Sequence, residues 1–251
     1  DVNILMTINP ITHSIKMVSI PRDSYVPLNR DACGLNAAVP NTLDKLTHAG
    51  TKTTGVNCVI GTLEDVFNIK IDYFVQLNFS SFNKIIGALG TIEVYNAEAF
   101  TEDSTTHAVP YYYPQGMITL NAENALAFVR QRHGFLLGDL QRVKNQQETI
   151  KGMINKLTEV STLTKVESIV SAISGTIDTN MLPAEVMALA RAQIQNLSFT
   201  WSLSSADLTG HSDSKGTLTM GFGRPLYVFI LDPASVTAAR QALLDNMVIP
   251  E

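Results

Sequence analysis

Residues 2–8 and 15–20 are short runs in which apolar, β-prone residues outnumber polar ones, and the residues between them, Asn9-Pro10-Ile11-Thr12-His13-Ser14, are turn formers. Two β-prone runs on either side of such a stretch predict a β-hairpin. Pro21 ends the second strand and leaves Arg22 and Asp23 in the loop that follows. Further on, 56–67 and 81–89 carry apolar residues at helical spacing, while 72–78 (DYFVQLN) and 91–95 read as strands. Strands alternating with helices predict an α/β domain with helices packed on a sheet. Thr42 to Gly50 places Lys45 and His48 three apart, close on one helical turn. Residues 97–115 show no period, and a surface loop and a lid over a site both remain open for them.

The most informative stretch is Leu120–Gln147, LNAENALAFVRQRHGFLLGDLQRVKNQQ. Asn121 suits an N-cap, Leu126, Ala127 and Val129 supply an apolar face, and Arg130 and Arg132 project from its end. After Gly134 and Gly138 a second helix starts at Asp139, with Arg142 and Gln146 on one side and Leu140, Val143 and Ile150 available for burial. Grouped guanidinium forks suit phosphate oxygens; surface salt bridging is the bland alternative. Beyond this corner, 143–156, 166–173 and 183–197 predict helices, the last with Pro183 as a start signal. Strands are expected at 199–203 and 226–231, a long connection over 204–223, and a closing helix at 233–246 behind Asp232-Pro233. One domain over 1–251 is the simplest organisation.

Composition narrows the classes. The chain has 251 residues, 45% hydrophobic, with a net charge of -5, enough for a sizeable core. An acidic balance argues against a nucleic-acid partner. No apolar run is long enough to span a bilayer and no signal peptide precedes Asp1. The abrupt opening into a strand suggests a chain whose upstream segment is missing. Cys33 and Cys58 fit no C-x-x-C spacing, and one structural disulfide is favoured over two free thiols, which would place the protein in an oxidising, extracytoplasmic compartment. No nucleophile elbow, zincin motif or P-loop occurs, and Gly221-Phe222-Gly223 lacks the rest of a dinucleotide fingerprint. What remains is an arginine cluster with a few aspartates and apolar residues to spare, suited to a phosphorylated ligand with a large hydrophobic part.

Several blocks then resemble, in order, the catalytic domain of the LytR-CpsA-Psr family: Asp1 with Asn3–Pro10, Met17–Tyr25, Lys45–Ala49, Ile71–Val75, Ala125–Arg132, Gly138–Arg142, Gln146-Gln147 and Leu226–Asp232. The resemblance implies a mixed central β-sheet flanked by helices, with a deep apolar pocket for a polyprenyl chain. It implies a phosphotransferase that moves a glycopolymer (teichoic acid, capsular or secondary wall polysaccharide) from a polyprenyl-pyrophosphate carrier to peptidoglycan, using Mg²⁺. It also implies an extracellular domain of a Gram-positive-type cell, held at the membrane by an N-terminal helix that this chain lacks. Carried over by motif, Arg22, Arg130, Arg132 and Arg142 clamp the pyrophosphate, Gln146 donates to a phosphate oxygen, and Lys45 adds a phosphate contact. Asp1 and Asp23 are placed to orient Mg²⁺ or the acceptor hydroxyl, and Asp139 to orient Arg142 or take part as a base. Two positions depart from the family pattern: His133-Gly134-Phe135 where an acidic residue is common, and Asn145 where a further arginine is common. A glycan-binding module without turnover and a secreted polyprenyl-pyrophosphate hydrolase are the competing readings.

Overall fold

The computed structural model describes residues 2–103, 107, 109–131, 135, 139–173, 175–195 and 201–249, with the backbone alone at 139, 140, 160, 190 and 192–195. The chain separates into two units, Asp1–Asp72 with Ser202–Glu251 and Tyr73–Trp201. The first unit opens with β1 (Asn3–Asn9), β2 (Ser14–Ile20), β3 (Tyr25–Pro27), β4 (Leu43–Lys45), α1 (Leu46–Ala49) and α2 (Val56–Phe67). The second runs through β5 (Val75–Gln76), α3 (Phe79–Leu89), β6 (Ile92–Asn96), β7 (Phe100–Thr101), β8 (Tyr112–Tyr113) and β9 (Gly116–Leu120). It continues with α4 (Ala125–Arg130), α5 (Asp139–Thr158), α6 (Val160–Leu163), α7 (Val166–Ile173), β10 (Asp178–Thr179) and α8 (Pro183–Gln195). The chain then returns to the first unit as β11 (Ser202–Ala206), β12 (Gly210–Thr217), β13 (Gly221–Leu231) and α9 (Pro233–Asp245).

In the first unit β1 and β2 form the expected hairpin, in register from Asn3 opposite Ile20 to Asn9 opposite Ser14. Asn9 makes its turn, Oδ1 accepting from the N–H groups of Ile11 (3.0 Å) and Thr12 (3.1 Å). β11 joins β2 in parallel, so this three-stranded sheet is mixed. Leu5, Val18 and Ile20 of the sheet share one core with Ala239 and Leu243 of α9 and Leu63 and Phe67 of α2. Asp232 caps α9 by accepting from Ala234 N–H at 3.1 Å, with Pro233 at a position where its missing N–H costs nothing.

α2 lies hard against the loop before β4: a Cβ on Gly61 would come within 2.4 Å of the Ala32 Cβ, so the approach requires glycine. The Cys33–Cys58 disulfide ties that loop to the same helix, as the sequence favoured. The cross-link closes a separation of 25 residues, a loop length for which the chain-entropy model gives about 3 kcal/mol. Replacing both cysteines by serine is therefore expected to lower the unfolding free energy by about that amount. Chemical denaturation reads it, and an unchanged midpoint would show that the bond adds nothing to stability.

In the second unit β6 and β9 pair antiparallel, Ile92 opposite Leu120, and α5 packs on β6. Ile86, Leu89, Ile92, Val94, Leu120 and Phe128 belong to its core. At Gly152 the α5 backbone comes so close to β6 that a Cβ would meet the Glu93 carbonyl oxygen at 2.6 Å. Asn78 and Ser81 close a reciprocal capping box that starts α3.

Helices on a mixed sheet make this an α/β chain, as expected, and four local expectations change. The strand foreseen at 72–78 shrinks to β5, which pairs only with the short β10. Val75 and Leu77 there are exposed and Thr179 Oγ1 donates to the Phe74 carbonyl, so the alternation marks no buried face. The long connection over 204–223 is mostly strand: β12 pairs with β13 from Gly210 opposite Leu231 onward, with an irregularity between Lys215 and Thr217. Its Ser, Asp and Gly residues are largely exposed, so backbone pairing rather than apolar periodicity makes the strand. Asn121 caps a turn ahead of the helix, accepting from Glu123 and Asn124 N–H, and α4 proper begins at Ala125. The strand expected at 199–203 starts at Ser202, with 196–200 outside the described residues.

Candidate functional site

In the first unit the loop after β2 is fixed by its own carbonyls. Thr47 N–H donates to Arg22 O (2.9 Å), Phe229 N–H to Asp23 O (2.8 Å) and Leu46 N–H to Ser24 O (2.9 Å). Three successive main-chain acceptors are thus occupied, and the Arg22 and Asp23 side chains spring from a rigid base. Lys45 ends β4, opposite Tyr25. Its Nζ donates to Asp23 Oδ1 at 2.9 Å and lies 5.7 Å from the centre of the Tyr227 ring. Arg22 Nε stands 3.8 Å from Asp23 Oδ2, is itself buried and makes no hydrogen bond. Two cations therefore share one carboxylate, which leaves the three side chains with a net positive charge.

In the second unit α4 delivers Arg130, whose guanidinium lies 4.7 Å from the centre of the Phe79 ring, a stacking that suits its flat, weakly hydrated fork. α5 packs on α4 and carries Arg142, only 7% exposed, with Gln146 four residues later. Gln146 donates one amide N–H to the Val129 carbonyl at 3.1 Å, joining the two helices; an amide has a second to give. The sequence offered Val143 and Ile150 for burial, yet both are only partly buried. Inside are Gln141, Arg142, Asn145, Gln146, Gln147 and Thr149. A polar helix face turned inward is costly unless each group finds a partner, so this inversion is the clearest local mark of a site. Arg132 and Asp1 lie outside the described residues, as does the Asp139 side chain, although Asp139 opens α5 as expected.

Two features went unnoticed in the sequence. Asp44 is completely buried: Oδ1 accepts from Lys45 N–H (2.8 Å) and bonds His48 Nδ1 (2.5 Å), while Oδ2 accepts from Thr219 N–H (2.9 Å) and Oγ1 (2.6 Å). Lys52 Nζ lies 3.8 Å from the same oxygen. The available signal was Asp44 and His48 at i, i+4, overshadowed by Lys45 and His48 at i, i+3. The other feature lies in 97–115, where β7 pairs with β8. Glu102 is buried there with Oε1 2.8 Å from His107 Nδ1, and Phe100, Tyr113, Phe128 and Phe135 stack around one another. Burial, and then the nearby Glu102 charge, push the Tyr113 phenol well above its ordinary range, and its hydroxyl donates to the Asn124 carbonyl at 2.8 Å.

Among the described residues no three His, Cys, Asp or Glu side chains group as metal ligands, and no helix is long and apolar enough to cross a membrane. Of the predicted site residues that are described, Asp23 offers the carboxylate oxygens that Mg²⁺ prefers, and Mg²⁺ sites are commonly completed by one or two carboxylates with substrate phosphates and water. Asp23 therefore fits part of a ligand-completed site, not a closed metal cage.

An α/β fold that buries a phosphate-suited polar helix face defines a class, and comparison with known proteins agrees. The family model described as the LytR_cpsA_psr family matches residues 1–218, and the chain belongs to that family. It is 34% identical over 181 residues to the polyisoprenyl-teichoic acid–peptidoglycan teichoic acid transferase TagU of Bacillus subtilis (strain 168), covering 72% of this chain and 54% of TagU. The chain thus spans about half the length of the curated relatives it matches. Among solved structures, B. subtilis TagV superposes with a TM-score of 0.79 at 26% identity, covering 98% of this chain and 89% of TagV. TagT bound to LIIa-WTA superposes with a TM-score of 0.73 at 25% identity, covering 98% and 84%.

Proposed function

We propose that this chain is the catalytic domain of a phosphotransferase that attaches a glycopolymer, carried on polyprenyl pyrophosphate, to peptidoglycan. The observation that carries the reading is the inward polar face of α5, with Arg142 and Gln146 buried on it beside Arg130 of α4. Membership of the family and the relatives' names as teichoic acid transferases support the choice of substrate class. The disulfide suits an oxidising compartment, in keeping with work at the extracellular face of the cell membrane; a preceding membrane helix belongs to this reading as well.

In this reading Arg22, Arg130, Arg132 and Arg142, with Lys45 and Gln146, hold the pyrophosphate oxygens. Asp1 and Asp23 would hold Mg²⁺, which would supply charge neutralisation when bound. An acceptor sugar hydroxyl attacks the glycan-linked phosphorus, a new P–O bond forms, and the bridging P–O bond breaks to release polyprenyl phosphate. The hydroxyl proton passes to a carboxylate, with Asp139 and Asp23 as the candidates. Such a transfer asks little covalent chemistry of the protein and much positioning and charge neutralisation, which arginines in a fixed setting provide. The deciding experiment offers the purified domain a short-chain polyprenyl-pyrophosphate glycan and Mg²⁺, with and without peptidoglycan. Product joined to peptidoglycan is expected. Release to water alone would make the chain a hydrolase, and tight binding without turnover a binding module; either outcome sinks the transferase.

A further inference from the structure

Asn145 lies on the inward face of α5 and is 1% exposed. Its Oδ1 accepts from Gln141 Nε2 at 3.0 Å. Nδ2 is then the free end, buried and without a hydrogen-bond partner. An amide donor held dry and unpaired costs about 1–3 kcal/mol, and buried side-chain donors are nearly always satisfied. Arg142 comes three residues earlier, hence next to it on the helix surface, and is itself buried, so Asn145 shares its face with a guanidinium. The main chain around Asn145 has no slack for relaxation. Thr149 Oγ1 donates to the Asn145 carbonyl at 2.8 Å, and further along Gly152 presses the helix onto the Glu93 carbonyl.

We infer that Asn145 is a ligand-binding residue whose Nδ2 donates to a non-bridging phosphate oxygen of the donor substrate, with Gln141 as the residue that aims it. The inference rests on the proposed function and adds a neutral donor to the arginines of that site. A neutral N–H₂ has a distinct use there. It takes one phosphate oxygen by direction without adding to the repulsion among neighbouring cations, so it selects orientation where Arg142 selects charge.

The test uses Asn145→Asp and Asn145→Leu in the intact chain, with isothermal titration of inorganic pyrophosphate and of a short-chain polyprenyl pyrophosphate lacking sugar, both with Mg²⁺. Asn145→Asp keeps an acceptor for Gln141 but exchanges the donor for a carboxylate that adds a negative charge; Asn145→Leu removes donor and acceptor without adding charge while keeping similar volume. Each is expected to weaken binding of both probes by about tenfold or more, the scale of one hydrogen bond to a charged group. Thermal midpoints should stay within a few degrees. The loss in Asn145→Leu, which adds no charge, separates a missing donor from repulsion by the new carboxylate of Asn145→Asp. Unaltered affinity in both variants overturns the inference alone. Failure of the unaltered protein to bind either probe overturns the phosphotransferase reading, and this inference with it.

Discussion

Arg142→Ala is expected to reduce glycan transfer by about two to three orders of magnitude, the scale seen when one preorganised charge-stabilising donor is removed from an active site. A guanidinium is charged at every accessible pH, and placing it in an interior costs several kcal/mol unless its surroundings answer it. This chain nonetheless puts Arg142 almost wholly inside, on a helix face whose other members are Gln141, Asn145 and Gln146. A buried guanidinium on a face of amides is placed to meet an anionic ligand, the role the proposed function gives it. Alanine suits a helix interior, so α5 should form and the near-ultraviolet circular dichroism should hold. Arg142→Lys restores the charge without the planar fork and should recover only part of the loss. Transfer within a few-fold of the unaltered rate in Arg142→Ala would remove Arg142 from the site and with it the main support for the proposed chemistry.

The largest effect on stability is expected at Asp44. Asp44→Ala should lower the unfolding free energy by about 3–5 kcal/mol, the range for breaking a buried charge pair from one side. The carboxylate is completely buried, and it binds His48, Thr219 and the Lys45 main chain, with Lys52 close by. Removing it takes the acceptor from the Thr219 N–H and hydroxyl at the turn that joins β12 to β13, although the hydroxyl still accepts from Lys52 Nζ at 2.7 Å. Asp44→Asn retains shape but presents an N–H₂ to one set of donors, so its cost should be intermediate. Urea denaturation followed by circular dichroism measures both. A loss below about 1 kcal/mol for alanine, the worth of an ordinary hydrogen bond, would mean that water or rearrangement replaces the carboxylate.

Both sites show what the sequence discloses. The β1–β2 hairpin was legible because two β-prone runs and the turn chemistry between them agree, and α2 and α9 were legible because their apolar spacing and, for α9, the Asp232-Pro233 start are local signals. β12 was not, because an exposed strand built of Ser, Asp, Gly and Lys has no apolar period to reveal it. Arg130 and Arg142 stood out as chemistry against an acidic background. The inward turn of Gln141, Asn145 and Gln147 did not, since polar residues on a helix are read as solvent-facing until tertiary packing says otherwise. Asp44 was hidden for another reason: Thr219, its partner, lies far along the chain, and no spacing rule links them.

Gly152 has a mechanical consequence. With α5 resting its main chain on the Glu93 carbonyl, the helix has no clearance to slide or roll along β6. A shift of one turn would carry every side chain on it by about 5.4 Å, farther than any hydrogen bond reaches. The placement of Arg142 is thus keyed at a contact well down the same rod, away from the groups that meet the ligand. Under the proposed function, a phosphate arriving there would find Arg142 and Gln146 already placed, and the loss of conformational freedom on binding would fall on the donor's polyprenyl chain and glycan instead of on α5.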